Sequence, residues 1–545
     1  MKKRKRAKFI FVMGGVLSGL GKGIAVSSIA MLLKSKGYRT TAIKIDPYVN
    51  VDAGTMNPTE HGEVFVTKDG LETDQDVGNY ERFLGEELTR ANYMTTGSVY
   101  SSVIQRERNL EYGGKCVEVV PHIPDEVNRR LEVLARQSKA EIIIVEIGGT
   151  VGEYQNVLFL EAARMLQLRY PGGVQYILVS YLPIPNKIGE MKTKPTQYAV
   201  RTLNSSGIQP DFILCRAERS LDQPRKEKIS YNCSMKPEDI ISAVDVDSIY
   251  EVPLNFEKEK LSAKILKKFN LKEKKGDLKE WKRMFSRAKS AQKIVKIGII
   301  GKYFGIGSFI LSDSYISVIE AIKHGAWANK ARPELTWINA EEFEKSPEKV
   351  KELRNYDGIV VPQGWGSRGC DGNIKAIRYA RENKIPYLGL CYGMQMAVIE
   401  FAREVAKLKR ANSMEVDPKT PYPVIHIMPD QAEYLKKKQY GGTIRLGNWP
   451  CKLIKGTKVF AAYNGQKIVQ ERHRHRYEFN NVYRKKFESL GLVVSGTSPD
   501  GKLVEAIELK NHPFFVGTQF HPEYKSSPLN PHPLFIAFIK ACLPK

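Results

Sequence analysis

Short apolar, β-rich runs alternate with helical patterns along the whole chain, and this alternation restricts the fold more than any other feature. In the first half the runs are KFIFVMGG, YRTTAIKID, AEIIIVEIGG, VQYILVSYL and PDFILCR; in the second they are IVKIGII, YDGIVVPQG, IPYLGL and PFFVGTQF. Such alternation predicts an α/β protein with two doubly wound, mostly parallel sheets covered by helices. A chain of 545 residues is too long for one ordinary core. The stretch 257–293 is dense in charge and poor in apolar runs, and reads as a helical connector. The expected domains are therefore 1–270 and 295–545, joined by a basic helical linker over 271–294. No internal repeat is visible.

Composition narrows the class. No apolar run reaches the ~18 residues that crossing a bilayer requires. The opening MKKRKRAKFIFVMGGVLSGL imitates a signal peptide, but paired glycines cut its apolar run, so a buried strand and loop are expected instead. Seven cysteines, none in a CxxC pair, argue against a zinc ribbon or a disulfide framework and suit the cytoplasm. The formal charge of +25 is concentrated partly at the amino terminus and in 257–293. It reads as solvated basic faces plus polyphosphate sites, because no aromatic-interleaved nucleic-acid motif accompanies it. Neither nucleic acid nor a membrane is an expected partner.

In the second half, YLGLCYGMQMAVIEFA runs from a short apolar strand into a pattern with Met394, Val398, Ile399 and Ala402 at helical spacing. Cys391 thus falls on a strand-to-helix turn between Gly389 and Gly393, the form of a nucleophile elbow. The helix N-terminus there favours a thiolate. GTQFHPEYKSSP supplies His521 and Glu523 after another strand, and Gly364 in PQGWG lies in a turn whose backbone N–H groups suit an oxyanion hole. Three such elements at three strand ends point to cysteine-dependent acyl transfer.

The first half opens on strand, glycine loop and helix. Glycines let backbone N–H groups crowd around phosphate oxygens, and Lys22 adds a point charge. The strict phosphate-loop spacing fails: Gly15 to Gly21 is one residue too long, and Gly23 replaces the Ser/Thr that would touch Mg²⁺. The metal then needs carboxylates from elsewhere, and ETDQD offers Asp74 and Asp76 while Glu146 ends the run IIIVE. GEMKTKPTQYAV and RKEKIS add Lys192, Lys194, Gln197 and Lys228, a basic clamp for a second polyphosphate.

The second half resembles a class I glutamine amidotransferase. The resemblance implies Cys391 as nucleophile, His521 as base and Glu523 as its orienter. It also implies that Gly364, Tyr392, Gly393, Met394, Gln395, Glu415 and Arg476 hold glutamine. From about residue 8 to 540 the chain resembles the CTP synthases, through GGVLSGLGKG, KIDPYVNVDAGTMNPTEHGEVFVTKDG, VEIGGTVGE, MKTKPTQ, DVDSIY, NSMEV, GGTIRLG, ERHRHRYE and FHPEY. That resemblance implies a P-loop synthetase domain before the amidotransferase domain. It implies ATP-dependent amination of UTP to CTP through a 4-phosphorylated UTP, the last step of de novo CTP synthesis. ATP would bind at Gly19, Leu20, Gly21, Lys22, Gly23, Ile24, Asp76, Val244, Asp245 and Val246. UTP and the inhibitor CTP would bind at Ser18, Glu153, Tyr154, Gln155, Lys192, Thr193, Lys194, Pro195, Thr196, Gln197 and Lys228. Asp76 and Glu146 would hold Mg²⁺, GTP would be an allosteric activator, and a homotetramer able to stack into filaments is implied. Glu153-Tyr154-Gln155, Glu118, Tyr112-Gly113-Gly114 and Pro362-Gln363-Gly364-Trp365-Gly366 depart from the family's usual residues. Two other readings stay open on the motifs: an amidotransferase acting on a carboxylate, and a scaffold derived from the enzyme.

Overall fold

The computed structural model describes residues 6–544, apart from 188, 275, 304, 307, 308, 311, 429, 430, 432 and 434–441. The chain divides into two compact units, one made of 1–52 and 76–285, the other of 53–75 and 286–545. This differs from the contiguous division expected from sequence in two places. Residues 271–285 join the first unit, because helix Lys279–Ser290 buries Trp281 and Met284. Trp281 donates its indole N–H to the Tyr250 carbonyl at 2.9 Å and packs 5.2 Å from the Phe83 ring. The second difference is the excursion 53–75. Its strands Val64–Val66 and Glu72–Asp74 form an antiparallel hairpin within the second unit. Phe65 meets the Tyr524 ring edge-on at 5.0 Å, and the Arg472 guanidinium donates to the Val66 carbonyl at 2.9 Å. The Glu72 carboxylate accepts from Arg474 at 2.8 Å, and both side chains are buried.

The first unit is built on a seven-stranded parallel sheet in the order Tyr93–Thr95, Thr40–Asp46, Ile142–Thr150, Lys8–Gly14, Val174–Tyr181, Phe212–Ala217, Ile240–Val244. Strands covered on both faces read as continuous apolar runs rather than alternating ones, which is why FIFVM and IIIV stand out in the sequence. The central strand Lys8–Gly14 has Ile142–Thr150 and Val174–Tyr181 as neighbours, so the loop after Gly14 opens at the sheet's carboxyl edge.

The second unit has a nine-stranded sheet. Strands Ala331–Asn339, Lys293–Gly301, Gly358–Val361, Tyr387–Leu390 and Phe515–Thr518 run parallel. Four antiparallel strands extend it: Val504–Leu509, Leu492–Thr497, Arg445–Leu453 and Ile468–His475. The sequence reading named none of these four. Two of them are joined by the tight turn Ser498–Gly501, in which Gly501 takes φ +74°, a connection too short for a crossover helix. Among the described residues no helix is long and apolar enough to cross a membrane.

Candidate functional site

Strand Tyr387–Leu390 passes into helix Tyr392–Glu404 through Cys391, whose φ of 50° and ψ of −95° are rare for a residue with a side chain. The flanking glycines explain how the turn closes. A Cβ on Gly389 would lie 2.6 Å from the Tyr387 hydroxyl, and one on Gly393 would lie 2.1 Å from the Val361 carbonyl. The Cys391 N–H donates to the Thr518 carbonyl at 2.6 Å. Its Sγ accepts from Gln519 Nε2 at 3.5 Å and lies 3.8 Å from the Arg474 carbonyl.

His521 and Glu523 follow the adjacent strand Phe515–Thr518 and are buried. The His521 N–H donates to the Arg472 carbonyl at 2.7 Å, which fixes the backbone. Its Nδ1 lies 2.7 Å from Glu523 Oε1, and its ring stacks on Tyr524 at 4.9 Å. Nε2 is buried without a hydrogen-bond partner among the described residues. Burial alone would lower this imidazole, but the Glu523 carboxylate and then the Cys391 sulfur outweigh it and raise the group to about 10. The structure brings Cys391, His521 and Glu523 together.

The residues expected to hold glutamine surround the same place. Gly364 and Gly366 lie on the loop that follows strand Gly358–Val361. The Gly366 N–H donates to Glu415 Oε1 at 2.8 Å, and the Tyr392 hydroxyl donates to the Gly366 carbonyl at 2.9 Å. Burial raises the Glu415 carboxyl, offset in part by that N–H, Lys302 and Arg476. Gln395 Nε2 donates to the Tyr477 carbonyl at 2.9 Å, and Arg476 Nη2 donates to the Thr443 hydroxyl at 3.0 Å. Met394 is fully buried in the core behind the elbow. Sequence reasoning missed Gln519 and Lys302, although Gln519 stands two positions before His521, an alternation that strand periodicity could have exposed.

In the first unit, Gly19 and Gly21 take φ of 72° and 78° before helix Lys22–Ser35 begins. Leu20, Gly21 and Ile24 line an open pocket together with Val244, Asp245 and Val246. Arg216, absent from the sequence reading, also lines it; its Nε donates to Asp245 Oδ1 at 2.7 Å and its Nη1 to the Gly19 carbonyl at 3.4 Å. A Cβ on Gly23 would lie 1.9 Å from Asp76 Oδ1. A carboxylate therefore occupies the space where a conventional phosphate loop carries its hydroxyl side chain.

Asp76 and Glu146 share one cation, Lys44, whose Nζ lies 2.5 Å from Asp76 Oδ2 and 2.7 Å from Glu146 Oε1. Lys44 and Glu146 are direct partners across neighbouring strands. Asp46 adds a third carboxylate 3.8 Å from Lys44, and the Tyr80 hydroxyl donates to Glu146. Lys22 Nζ donates to the Gly149 carbonyl at 2.9 Å. Burial, followed by Asp76, raises the Glu146 carboxyl to about 7 against the opposing pull of Lys44 and Lys22. Burial also raises Asp46. Lys44 and Asp46 were missed, although their spacing in YRTTAIKID places both on one face of a strand end. Asp74 is the register partner of Val64 in the hairpin of the other unit.

The residues expected at the pyrimidine nucleotide divide into two groups. Lys192 and Arg225 pair with Glu190, at 2.6 and 3.7 Å, and Lys228 helps to hold that carboxyl low after Lys192 and Arg225. Thr193, Lys194 and Pro195 open helix Lys194–Ser205. Thr196 and Gln197 are buried, the first 2.8 Å from the Ser180 hydroxyl, the second donating to the Thr193 hydroxyl at 3.0 Å. Ser18 is exposed on the glycine loop. In the second group Gln155 Nε2 donates to Glu153 Oε2 at 3.2 Å, and Tyr154 is 96% exposed.

Comparison with known proteins places these sites in context. Residues 8–271 match the family described as CTP synthase N-terminus, and residues 310–541 match glutamine amidotransferase class-I. The chain is 51% identical over 539 residues to a CTP synthase of Caldanaerobacter subterraneus subsp. tengcongensis, with 98% of each chain covered. It is 52% identical over 537 residues to a CTP synthase of Carboxydothermus hydrogenoformans, again with 98% of each covered.

Proposed function

Since this chain belongs to the CTP synthase family, glutamine-dependent C–N ligases, we propose that it aminates UTP to CTP at the expense of ATP, with glutamine as nitrogen donor. The observation that supports this best is the Cys391–His521–Glu523 cluster set against the loop of Gly364 and Gly366. There the Cys391 thiolate attacks the glutamine side-chain amide carbonyl. The oxygen that gains charge is received by the Gly364 backbone N–H of that loop. His521, held by Glu523, gives a proton to the departing ammonia, and water then releases glutamate from the thioester. Tyr392, Gly393, Met394, Gln395, Glu415 and Arg476 orient the amino acid.

In the first unit the γ-phosphoryl of ATP passes to O4 of UTP, leaving ADP. Ammonia then adds at C4 and phosphate departs, giving CTP. A carbonyl oxygen leaves poorly and a phosphate leaves well, so phosphorylation makes the exchange downhill. Gly19–Ile24 and Val244–Val246 cradle ATP. Ser18, Lys192–Gln197 and Lys228 bind UTP, with Glu153–Gln155 at the CTP-sensitive part. Asp76 and Glu146 suit Mg²⁺: both offer hard oxygen donors, and the burial that raises Glu146 is the penalty that a divalent cation offsets. When bound, Mg²⁺ neutralises charge on the transferring phosphates. GTP activation, CTP inhibition, a cytoplasmic location, and a homotetramer able to form filaments belong to the same proposal.

The test is the absorbance change of UTP becoming CTP, with ATP and Mg²⁺, run for the wild type and Cys391→Ala. Glutamine and ammonium chloride are compared as nitrogen sources. Wild type working with both and the variant only with ammonium is the expected result. Glutamine hydrolysis without CTP from either source would refute the UTP assignment.

A further inference from the structure

Lys302 is a buried lysine beside the glutamine site, 5% exposed, to which neither the motifs nor the proposed reaction assigns a task. It follows strand Lys293–Gly301. Its Nζ donates to the Gly366 carbonyl at 3.0 Å, the same oxygen that receives the Tyr392 hydroxyl at 2.9 Å. It also lies 4.3 Å from the centre of the Tyr392 ring, a cation–π contact. Its Cε is 3.1 Å from where a Cβ on Gly364 would stand. The ammonium therefore grips the 364–366 loop from beneath, while Glu415 holds the Gly366 N–H and the Tyr303 hydroxyl accepts the Trp365 N–H at 3.2 Å. Gly366 sits at φ +74°, so the loop's own backbone preference does not lock it.

We propose that Lys302, as an ammonium, is the positioning residue that holds the 364–366 loop so that its Gly364 N–H is aimed at the developing oxyanion, the Trp365 and Gly366 N–H groups being held by Tyr303 and Glu415. Loss of its proton removes a charge-assisted bond to the Gly366 carbonyl and the cation–π contact together, and the loop loses its underside. The surroundings place that event in an accessible range. Burial lowers Lys302 to about 8, Glu415, Cys370 and Glu344 oppose the shift, and Arg368 adds to it. Tyr303, Tyr392 and Tyr315 complete the groups around it, with burial raising all three hydroxyls. Glutamine hydrolysis should therefore fall on the alkaline side as Lys302 deprotonates, whereas ammonium-supported synthesis does not depend on it.

The inference rests on the glutaminase reading, and the experiment separates the two. Glutamine hydrolysis is measured from pH 6 to 10 in the full chain for wild type, Lys302→Met and Lys302→Arg, with the rate of Cys391 alkylation by iodoacetamide as a second readout. Lys302→Met should lower kcat about 100-fold, the cost of a misplacement of about 1 Å at a reacting centre, with KM changed far less. Alkylation should stay near the wild-type rate, because the contacts described for Lys302 reach Tyr392 and the 364–366 loop but not Cys391. Lys302→Arg should keep activity and move the alkaline limb up by about one unit or more, since a guanidinium does not deprotonate. An alkaline limb of Lys302→Arg that coincides with wild type, or a Lys302→Met with wild-type kcat, overturns the inference while leaving the glutaminase intact. A wild type that hydrolyses no glutamine overturns the site reading itself and the inference with it.

Discussion

Gly393→Ala adds one methyl group, and the structure says where it goes. The new Cβ would lie 2.1 Å from the Val361 carbonyl oxygen and 3.0 Å from its carbon, both backbone atoms of the neighbouring strand. Ordinary contact begins near 3.4 Å, so elbow and strand must separate by about 1.3 Å. No flexible side chain is available to yield. Val361 is the last residue of its strand and leads directly into the loop of Gly364 and Gly366, so the displacement is delivered to the proposed oxyanion donor or to Cys391. A misplacement of about 1 Å at a reacting centre costs on the order of 10²-fold in rate. Overpacking of this kind costs about 1–3 kcal/mol of stability. The assay is CTP formation with glutamine against CTP formation with ammonium chloride. Glutamine-supported kcat should fall about 100-fold or more, by the same reasoning. Ammonium-supported kcat should stay within about twofold, because the fault lies at the elbow. Gly393→Ala retaining half of its glutamine-supported rate would refute the argument that this close approach holds the elbow.

Gly23→Ser restores the residue type usual in phosphate loops, yet its Cβ would fall 1.9 Å from Asp76 Oδ1. It should drive Asp76 out of the Lys44–Glu146 cluster and abolish CTP formation from either nitrogen source while glutamine hydrolysis persists; improved ATP affinity would contradict this. Glu72→Ala leaves Arg474 buried without its carboxylate, a change that costs about 3–5 kcal/mol when one partner of a buried pair is removed. Thermal inactivation of the glutaminase should then precede that of ammonium-supported synthesis, and coincident inactivation at the wild-type temperature would sink the assignment of 53–75 to the second unit.

The parallel cores were legible because strands buried on both faces appear as apolar runs, and the elbow was legible because glycines bracket Cys391. The antiparallel half of the second sheet was not. A strand such as Ile468–His475, ERHRH in its buried part, hides five charged or polar side chains among specific partners and so reads as surface. Val64–Val66 and Glu72–Asp74 are three residues each, too short for periodicity to register, and their partners lie hundreds of positions away. Lys302 escaped for a related reason. Nothing in the composition of a single lysine tells whether it ends in water or beneath a loop. Asp76 was found, but only the missing Cβ at Gly23 explains why a carboxylate belongs there.

The hairpin at 53–75 also has a consequence in time. Its contact from Tyr524 to Val64 spans 460 residues of chain. At synthesis rates of roughly 5–20 residues per second, the hairpin leaves the ribosome some 20–90 s before Tyr524 exists. During that interval Val64 and Phe65, fully wrapped in the finished protein, have no surface to rest on. The first unit's chain thus carries, between residues 52 and 76, a segment whose own partners come hundreds of residues later. The glutaminase, although encoded last, cannot be completed by its own contiguous stretch of message.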